Sequence, residues 1–430
     1  MMGRVSRRGA AGMLVGLLSL SAALSGCGSG DSADGSVTLR FVWWGNEDRA
    51  KVTRAAVDEF QKRNPDIKVE TEYSGYDAYF QKLSTQVAGG AGPDLLQLDR
   101  ATVGEYAGRN VLADLGEYVG KDLKIDKIPP NLLEGGKVDG KQYAVAGGAT
   151  TQMLIFDPTH FDAAGVKVPT APGEKWTWAE FAAAMNKVGA AGQVAGTTDF
   201  GWAIDWFEVW LHQHDKSLYT PEGKLGFTAD ELAEYWEMIG TMRPGKGVSP
   251  AEVTTKMDGS VQNSGIVTKQ SASEIGYDSG VTGYFGAFGP NLKVAPLPSD
   301  VAESGMAAMP PVSFAVSQRS KNRDAAVKLL DFLLNDPEAG KLLGASRGVP
   351  PNEEIRAQVC ATAEAGSKAV CDYEVAQKDK IGPAFGAWPT GSSAIKRDFQ
   401  RTYDDVIFNR VSVADAAKRV VQDAEQSLGS

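Results

Sequence analysis

Apolar and polar positions follow one another along the chain in two rhythms, one typical of strands and the other typical of helices. Residues 37–44 are apolar and β-branched, which predicts a strand, and residues 52–60 carry apolar side chains at helical spacing until Asn64-Pro65 ends the pattern. Residues 67–73 alternate between apolar and polar, as a half-buried strand does. A β-α-β beginning of this kind is typical of proteins built on parallel sheets.

Helical and extended patterns continue to alternate as far as the C-terminus. We predict helices over residues 76–88, 102–109, 178–188, 322–335 and 395–428, the last divided near residues 409–412, and extended segments over residues 94–98 and 143–156. Strands that alternate with helices over such a length predict an α/β fold.

The chain begins with the order of a secretory signal. Three arginines without an acidic residue precede an apolar stretch over residues 10–24, which is shorter than the ~20 residues of a membrane span. The stretch ends at Leu24-Ser25-Gly26-Cys27, which resembles the bacterial lipobox, a motif whose cysteine is diacylated and becomes the new N-terminus. We therefore predict a signal peptide over residues 1–26 and a lipid on Cys27. An ordinary cleaved signal with an incidental Cys27 is the alternative.

Residues 27–36 are small and polar, and they predict a flexible tether between the lipid and the folded chain. Without the three arginines of the signal, the chain keeps 41 basic and 54 acidic residues, a net charge of −13. An acidic chain argues against nucleic acid as a partner, because binding to phosphates draws on clustered lysine and arginine. These features predict a protein outside the cytoplasm, attached to the outer face of the cell membrane by its lipid.

Cysteine and histidine usage bears on disulfides and metals. With Cys27 committed to the anchor, Cys360 and Cys371 remain as a pair in an oxidising compartment, where a local disulfide is the default interpretation. Two free thiols or half of a metal site are the alternatives. His212 and His214 would point ~200° apart on a helix, with no obvious third ligand nearby. We predict no metal site and no cofactor.

Several segments of the chain are informative through their order and spacing. They are Phe41-Val42-Trp43-Trp44-Gly45, Pro93-Asp94-Leu95-Leu96-Gln97-Leu98-Asp99, Val111-Leu112-Ala113-Asp114-Leu115, Tyr143-Ala144-Val145, Trp176-Thr177-Trp178-Ala179-Glu180-Phe181 and Ala325-Ala326-Val327-Lys328-Leu329-Leu330-Asp331-Phe332-Leu333. Together they resemble the carbohydrate-binding proteins of bacterial ABC importers, the family related to maltose-binding protein. The similarity runs from about residue 37 to the C-terminus.

The resemblance implies the two-lobe fold of periplasmic binding proteins, in which each lobe is a mixed sheet flanked by helices and hinge strands join the lobes. It assigns residues 37–148 and 314–348 to the first lobe, and residues 149–313 and 349–430 to the second. It also implies a monomer that is not an enzyme. Such a protein captures a mono- or oligosaccharide between its lobes and delivers it to the transmembrane permease subunits of an ABC importer.

The resemblance further implies a set of ligand contacts at the strand ends and loops that face the cleft. Carboxylates, amides and guanidinium groups can bond the hydroxyls of a sugar, and aromatic rings can pack against the C–H faces of its ring. The implied contacts are Trp44, Asn46 and Glu47 after the first strand, Asp99 and Arg100, Trp206 and Glu208 beside Asp205, Tyr277, and Trp388.

The tryptophans among these candidates have an alternative interpretation as core residues. Trp202, Trp206 and Trp210 fall at positions i, i+4 and i+8 of a predicted helix, a spacing typical of a buried stripe, from which we except Trp206 because acidic residues flank it. Trp43 and Trp44 are adjacent on a strand and therefore point to opposite faces. We predict that Trp44 is the one that faces the cleft.

The polar candidates and the function each allow a second interpretation. Asp99 and Arg100 could form a surface salt bridge, and Asn46 could cap a helix. A secreted glycoside hydrolase would also be acidic and rich in tryptophan, and it would need two carboxylates across a cleft. The same two-lobe fold could instead bind a peptide or a polyamine.

Overall fold

The structure, a computed structural model, describes residues 36–171, 173–363, 365–382 and 386–429. The predicted signal peptide and Cys27 lie outside the described residues. The strands are β1 Val37–Trp44, β2 Ile67–Ser74, β3 Leu95–Leu98, β4 Lys137–Val138, β5 Lys141–Gln142, β6 Val145–Ala146, β7 Gln152–Phe156, β8 Ser273–Tyr277, β9 Lys293–Ala295 and β10 Ser313–Val316. The α-helices are α1 Glu47–Arg63, α2 Tyr76–Ala88, α3 Arg100–Gly108, α4 Pro130–Glu134, α5 Pro158–Ala163, α6 Trp178–Ala191, α7 Ile204–His212, α8 Ala229–Gly240, α9 Ala251–Thr254, α10 Val281–Phe288, α11 Arg323–Asn335, α12 Pro337–Leu343, α13 Glu353–Ala361, α14 Ala365–Gln377, α15 Ser392–Ile407 and α16 Val413–Leu428.

The larger sheet has the strand order β2-β1-β3-β10-β6. Strand β1 pairs in parallel with β2 and β3, so that helices connect these strands, whereas β10 pairs antiparallel with β3 and β6. On one face of β1, the side chains of Leu39, Phe41 and Trp43 are fully buried. The β-α-β beginning that the hydrophobic pattern predicts is confirmed.

The smaller sheet has the strand order β8-β7-β9, and its strands pair antiparallel. Parallel bridges from Ala195 to Ser271 and from Thr197 to Val248 extend this sheet, which makes it mixed as well. Apolar faces of the surrounding helices pack onto it and build a core rich in aromatic rings. The chain thus has two lobes, each a mixed sheet flanked by helices, as the sequence predicts.

The chain passes from the larger sheet to the smaller one between β6 and β7. At Gly148, a Cβ atom would lie 1.8 Å from the carbonyl oxygen of Arg347, so the two backbones can approach only because this residue has no side chain. Ala149 and Val349 form an antiparallel bridge directly beside this contact. Two passages of the chain therefore lie side by side in the hinge region.

The C-terminal quarter, from α11 onward, is helical. Helices α13 and α14 are joined by a disulfide between Cys360 and Cys371. Helix α12 packs on α1 of the first lobe, and α16 packs on α15 and α8. Among the described helices, none combines the length and the apolar character that crossing a membrane requires.

The predicted tryptophan stripe is wrong at its first position. Helix α7 begins at Ile204, so Trp202 lies before it, while Trp206 and Trp210 are buried within it. The chain forms a turn at Gly201, and the helix begins after it. A Cβ atom at Gly201 would lie 2.1 Å from the Tyr403 ring, and the Gly201 carbonyl oxygen accepts a hydrogen bond from the Trp236 indole, outside the helix. Tertiary packing therefore decides where this helix starts.

Candidate functional site

Arg100 is the first residue of α3, directly after the end of β3. Asp99 caps this helix, because its carboxylate accepts a hydrogen bond of 2.9 Å from the Thr102 backbone N–H, and the Thr102 hydroxyl accepts one from the Asp99 N–H. The cap fixes the point at which the helix begins. It thereby directs the Arg100 side chain toward the second lobe.

The Arg100 guanidinium joins the two lobes through an ion pair. It lies 2.5 Å from the carboxylate of Glu208 in α7, and both side chains are almost completely buried. Along the chain, α7 lies between β7 and β8 of the smaller sheet and therefore belongs to the second lobe. Its central carbon lies 4.6 Å from the centre of the Trp388 ring, a cation–π arrangement. One cation of the first lobe therefore contacts both a carboxylate and an indole of the second.

The Trp388 segment approaches α3 with its backbone as well. The Trp388 N–H donates a hydrogen bond of 3.2 Å to the Arg100 carbonyl oxygen. At Gly104, one helical turn further on, a Cβ atom would lie 2.8 Å from the Trp388 carbonyl oxygen, so glycine is required for this close approach. Trp388 itself is buried, and its ring packs edge-on against Tyr219.

A second polar group lies beside this ion pair. The Lys396 ammonium of α15 is 3.1 Å from the Asp205 carboxylate, and the Tyr277 hydroxyl donates a hydrogen bond of 3.1 Å to the same carboxylate. The Tyr277 ring packs on Trp206, with the two centres 4.8 Å apart, and Lys396 lies 5.9 Å from the Trp388 ring. We call the whole group the interlobe cluster. Its members are Arg100, Asp205, Trp206, Glu208, Tyr277, Trp388 and Lys396.

Burial and charge together determine how the interlobe cluster ionises. Burial raises the pKa of Glu208, and the Arg100 cation offsets this only in part. Burial alone would also raise the pKa of Asp205, but Lys396, Arg100 and the Tyr277 hydroxyl outweigh burial, and its pKa lies below the ordinary value. Burial raises the pKa of Tyr277 well above its ordinary value, so this side chain remains a neutral hydroxyl.

Trp44 and Asp99 form the neighbouring wall on the first lobe. The Tyr76 hydroxyl donates a short hydrogen bond to Asp99, and the Trp44 ring packs edge-on against Tyr76 at 5.5 Å. Trp44 is half-buried, whereas Trp43 is fully buried in the core behind the sheet. The two tryptophans therefore point to opposite faces, as their adjacency in a strand requires.

Asn46 and Glu47 lie outside the interlobe cluster. The Asn46 side chain caps α1 by accepting a hydrogen bond of 2.9 Å from the Arg49 N–H. Glu47 is exposed, accepts a hydrogen bond from the Tyr73 hydroxyl and lies 3.9 Å from Arg54. Contacts within the first lobe occupy the side-chain oxygen of Asn46 and the carboxylate of Glu47.

Two residues of the site, Lys396 and Tyr76, are not predicted from the sequence. Lys396 follows the buried Ile395 on an amphipathic helix, and 35% of its side chain is exposed. A lysine beside the apolar face of a helix is the available signal. Tyr76 begins α2 after Gly75 and has no comparable signal. Its contact with Asp99 depends on a pairing of segments that are distant along the chain.

The two histidines of the His-x-His pair have separate surroundings. His212 ends α7, where burial, with a smaller contribution from the Arg100 charge, lowers its pKa to about 4. His214 bonds the Trp210 carbonyl oxygen at 2.7 Å through Nδ1, and its ring lies against that indole. Within the described residues, no group of three or more histidine, cysteine, aspartate and glutamate side chains could hold a metal ion.

The chain is similar to known proteins both in sequence and in structure. Residues 44–340 match the family model described as bacterial extracellular solute-binding protein. An uncharacterised lipoprotein of Streptomyces antibioticus is 33% identical over 172 residues, which are 40% of this chain and 38% of that protein.

Two solved structures share the fold over almost their entire length. A periplasmic oligogalacturonide-binding protein of Yersinia enterocolitica, in complex with saturated digalacturonic acid, has a TM-score of 0.79 at 20% identity, covering 92% of this chain and 99% of that one. An ABC substrate-binding protein of Listeria monocytogenes, in complex with cycloalternan, has a TM-score of 0.75 at 23% identity, covering 92% and 99%. Because the family model covers well over half of the chain, this protein belongs to the bacterial extracellular solute-binding proteins, as the resemblance in its sequence predicts.

Proposed function

We propose that this protein is the lipid-anchored binding component of an ABC importer, and that it captures a mono- or oligosaccharide between its lobes. The observation that carries the proposal is the interlobe cluster, in which Arg100 of the first lobe contacts Glu208 and Trp388 of the second. A ligand between the lobes would either replace this contact or add its own hydrogen bonds to it.

The chemistry of the interlobe cluster suits a carbohydrate. A sugar hydroxyl both donates and accepts hydrogen bonds, and the cluster offers carboxylates that accept, cations that donate and a tyrosine hydroxyl that does both. Each hydrogen bond to a charged group contributes about 1.5–3 kcal/mol, more than the ~1 kcal/mol of a neutral pair. The indole faces of Trp388 and Trp44 can cover the apolar faces of a sugar ring.

The same contacts define how ligand binding and lobe closure would be linked. In the structure, Arg100 pairs with Glu208, and Lys396 pairs with Asp205. A sugar that enters the cleft must offer hydrogen bonds to these groups in exchange. Because it would contact both lobes at once, it would favour their closed arrangement over an open one.

Anchoring and delivery complete the proposal. The lipobox at Cys27 and the lipoprotein relative from Streptomyces antibioticus support a lipid anchor on the outer face of the membrane. Stable attachment takes more than one acyl chain, which a diacylated cysteine provides. We further propose that residues 37–148 and 314–348 form one lobe, that residues 149–313 and 349–430 form the other, and that the protein docks on its permease as a monomer.

The test is a calorimetric binding screen of the purified protein. The panel includes a neutral glucan oligosaccharide, a ketohexose and digalacturonic acid, since the two structural neighbours hold one uncharged and one acidic saccharide. A peptide and a polyamine represent the non-sugar solutes. Binding of one saccharide class is expected, and binding of the peptide or the polyamine alone would contradict a sugar function.

A pair of tryptophan variants locates the binding site. Trp388→Ala is expected to weaken sugar affinity at least tenfold, about 1.4 kcal/mol, because it removes the ring that faces Arg100. Trp176→Ala is the matched control, since Trp176 is partly buried against Phe181 and is not a member of the interlobe cluster. Equal affinities in the two variants would contradict the site, and release of a smaller sugar from the ligand would indicate a glycoside hydrolase instead.

A further inference from the structure

Two arginines beside the hinge contact no carboxylate among the described residues. The Arg347 Nε donates to the Gln97 side-chain oxygen and its Nη1 to the Thr53 hydroxyl, both at 3.0 Å. Arg49 donates to the carbonyl oxygens of Ser346 and Trp44, at 3.0 and 3.2 Å. Every acceptor in this group is neutral.

Arg347 is the more unusual of the two. Only 4% of its surface is exposed, and its Nη2 has no hydrogen-bond partner within the described part of the chain. The neighbouring Ser346 hydroxyl is also buried and without a partner there. A buried guanidinium with one unpaired nitrogen is costly, because it has lost its hydration and gained no opposite charge.

Two other arginines, the buried Arg100 and the Arg243 side chain that is 30% exposed, do have carboxylate partners. Arg100 pairs with Glu208 at 2.5 Å, and Arg243 pairs with Asp199 at 3.1 Å. Burial, reinforced by the charge of Arg49, lowers the pKa of Arg347 well below its ordinary value, and burial lowers the pKa of Arg49 to about 10. In the hinge region, therefore, Arg49 and Arg347 bring two positive charges together without a carboxylate among the described residues, whereas Arg100 and Arg243 each pair with one.

A cavity lies beside these groups. Ser346 and Arg347 line it, together with Phe314 of β10 and the apolar ends of α11 and α12. The volume of the cavity is about 20 Å³. That space is enough for one particle the size of a water molecule or a halide ion, and it is too small for a sugar.

We propose that this cavity binds a small monovalent anion of chloride size, held by Arg347 and Ser346. The anion would supply the negative charge that the described residues do not, while the apolar wall suits a weakly hydrated ion. The cavity is distinct from the interlobe cluster, and this inference does not depend on the identity of the transported solute.

The site has a structural consequence for the hinge. Gln97 connects the Arg347 side chain to the Trp44 carbonyl oxygen, and Arg49 connects the Ser346 carbonyl oxygen to the same Trp44 oxygen. An anion on Arg347 would therefore stabilise the segment that runs beside Gly148, and with it the backbone position of Trp44. The anion acts as a structural ligand of the hinge.

The experiment measures thermal unfolding of the purified full chain at constant ionic strength, with sodium gluconate replaced stepwise by sodium chloride or sodium bromide. A ligand that binds only the native state raises Tm in a saturable way. We expect a rise on the order of 2 °C in either halide. The same Tm in gluconate and in both halides would overturn the proposal.

Two variants distinguish this site from a general salt effect. Arg347→Met removes the cation and is expected to abolish the halide response, and Ser346→Ala, which removes only a hydroxyl, is expected to weaken it should Arg347→Met fail to fold. Arg243→Gln is the control, because Arg243 has a carboxylate partner, and it is expected to keep the full response. A response that persists in the folded Ser346→Ala and Arg347→Met variants, or a bromide-soaked crystal without anomalous signal in this cavity, would contradict the assignment.

Discussion

The Arg100 guanidinium lies 4.6 Å from the centre of the Trp388 ring while it forms an ion pair with Glu208. Arg100→Met removes the cation and leaves Glu208 buried without its partner, which in comparable sites costs about 3–5 kcal/mol of the free energy of unfolding. We expect such a loss in urea denaturation. The double variant Arg100→Met/Glu208→Leu is expected to recover most of it, because no unpaired charge then remains.

The exposed pair of Lys368 and Asp372 on α14 provides the control for this cycle. Lys368→Met is expected to change the free energy of unfolding by less than about 0.5 kcal/mol, since water screens an exposed pair. Equal losses in Arg100→Met and in the double variant would show that packing of the long side chain, rather than its charge, stabilises this contact.

Asp99 has two roles that two substitutions can separate. Asn caps a helix about as well as Asp, whereas Ala costs about 1 kcal/mol. Asp99→Asn should therefore keep the stability of the protein but lose a negative charge from the proposed sugar site, and Asp99→Ala should lose both. Calorimetric affinity and urea denaturation of both variants test this. An Asp99→Asn protein with unchanged sugar affinity would leave Asp99 with a structural role alone.

The fold is largely predictable from this sequence, because its strands and helices carry their signals locally. Strand β1 ends where the apolar run ends, and α6 begins directly after its N-cap Thr177, which forms a capping box with Glu180. The start of α7 is the exception. It depends on the packing of Gly201 against Tyr403, which lies far from Gly201 along the chain. No local pattern contains that contact.

The candidate site is less predictable, for a related reason. Residues such as Asp99 and Asn46 are suitable both as helix caps and as ligand contacts, and only the structure shows that both cap helices. The Arg100 contact with Glu208 joins residues 108 positions apart. The sequence predicts which residues have useful chemistry, but the partners of each one follow from how the two lobes meet.

Asp278 predicts a dependence of stability on pH. It is fully buried, and burial, followed by the charge of the nearby Glu374, raises its pKa well above the ordinary value, while bonds from Thr150 and Thr151 offset this only in part. A folded-state pKa above the unfolded value of ~3.9 contributes stability that is complete below that value. The contribution is lost as the pH rises through the raised pKa.

Asp278→Asn should remove this dependence, because the amide resembles the protonated acid and does not ionise. The free energy of unfolding of the variant, relative to the unmodified protein, is expected to rise as the pH increases from about 4, the unfolded value, to the raised pKa of Asp278. Urea denaturation across that range is the measurement, with Asp58→Asn on the exposed side of α1 as the control. Parallel pH profiles of the unmodified protein and Asp278→Asn would show that Asp278 is already ionised in the folded state.

Cys27 tests the proposed anchor. Cys27→Ser removes the thiol that would carry the lipid and leaves the apolar signal before it intact, so the protein is expected to be exported and released instead of retained on the membrane. The measurement is the partition of the protein between membrane and soluble fractions of the producing bacterium. Ser32→Ala, in the predicted tether but outside the lipobox, is the matched control and should remain with the membrane. A Cys27→Ser protein that stays membrane-bound after its apolar signal has been cleaved off, as its mass would show, would contradict lipidation at this cysteine, because a tether of small polar residues has no apolar surface with which to hold a bilayer.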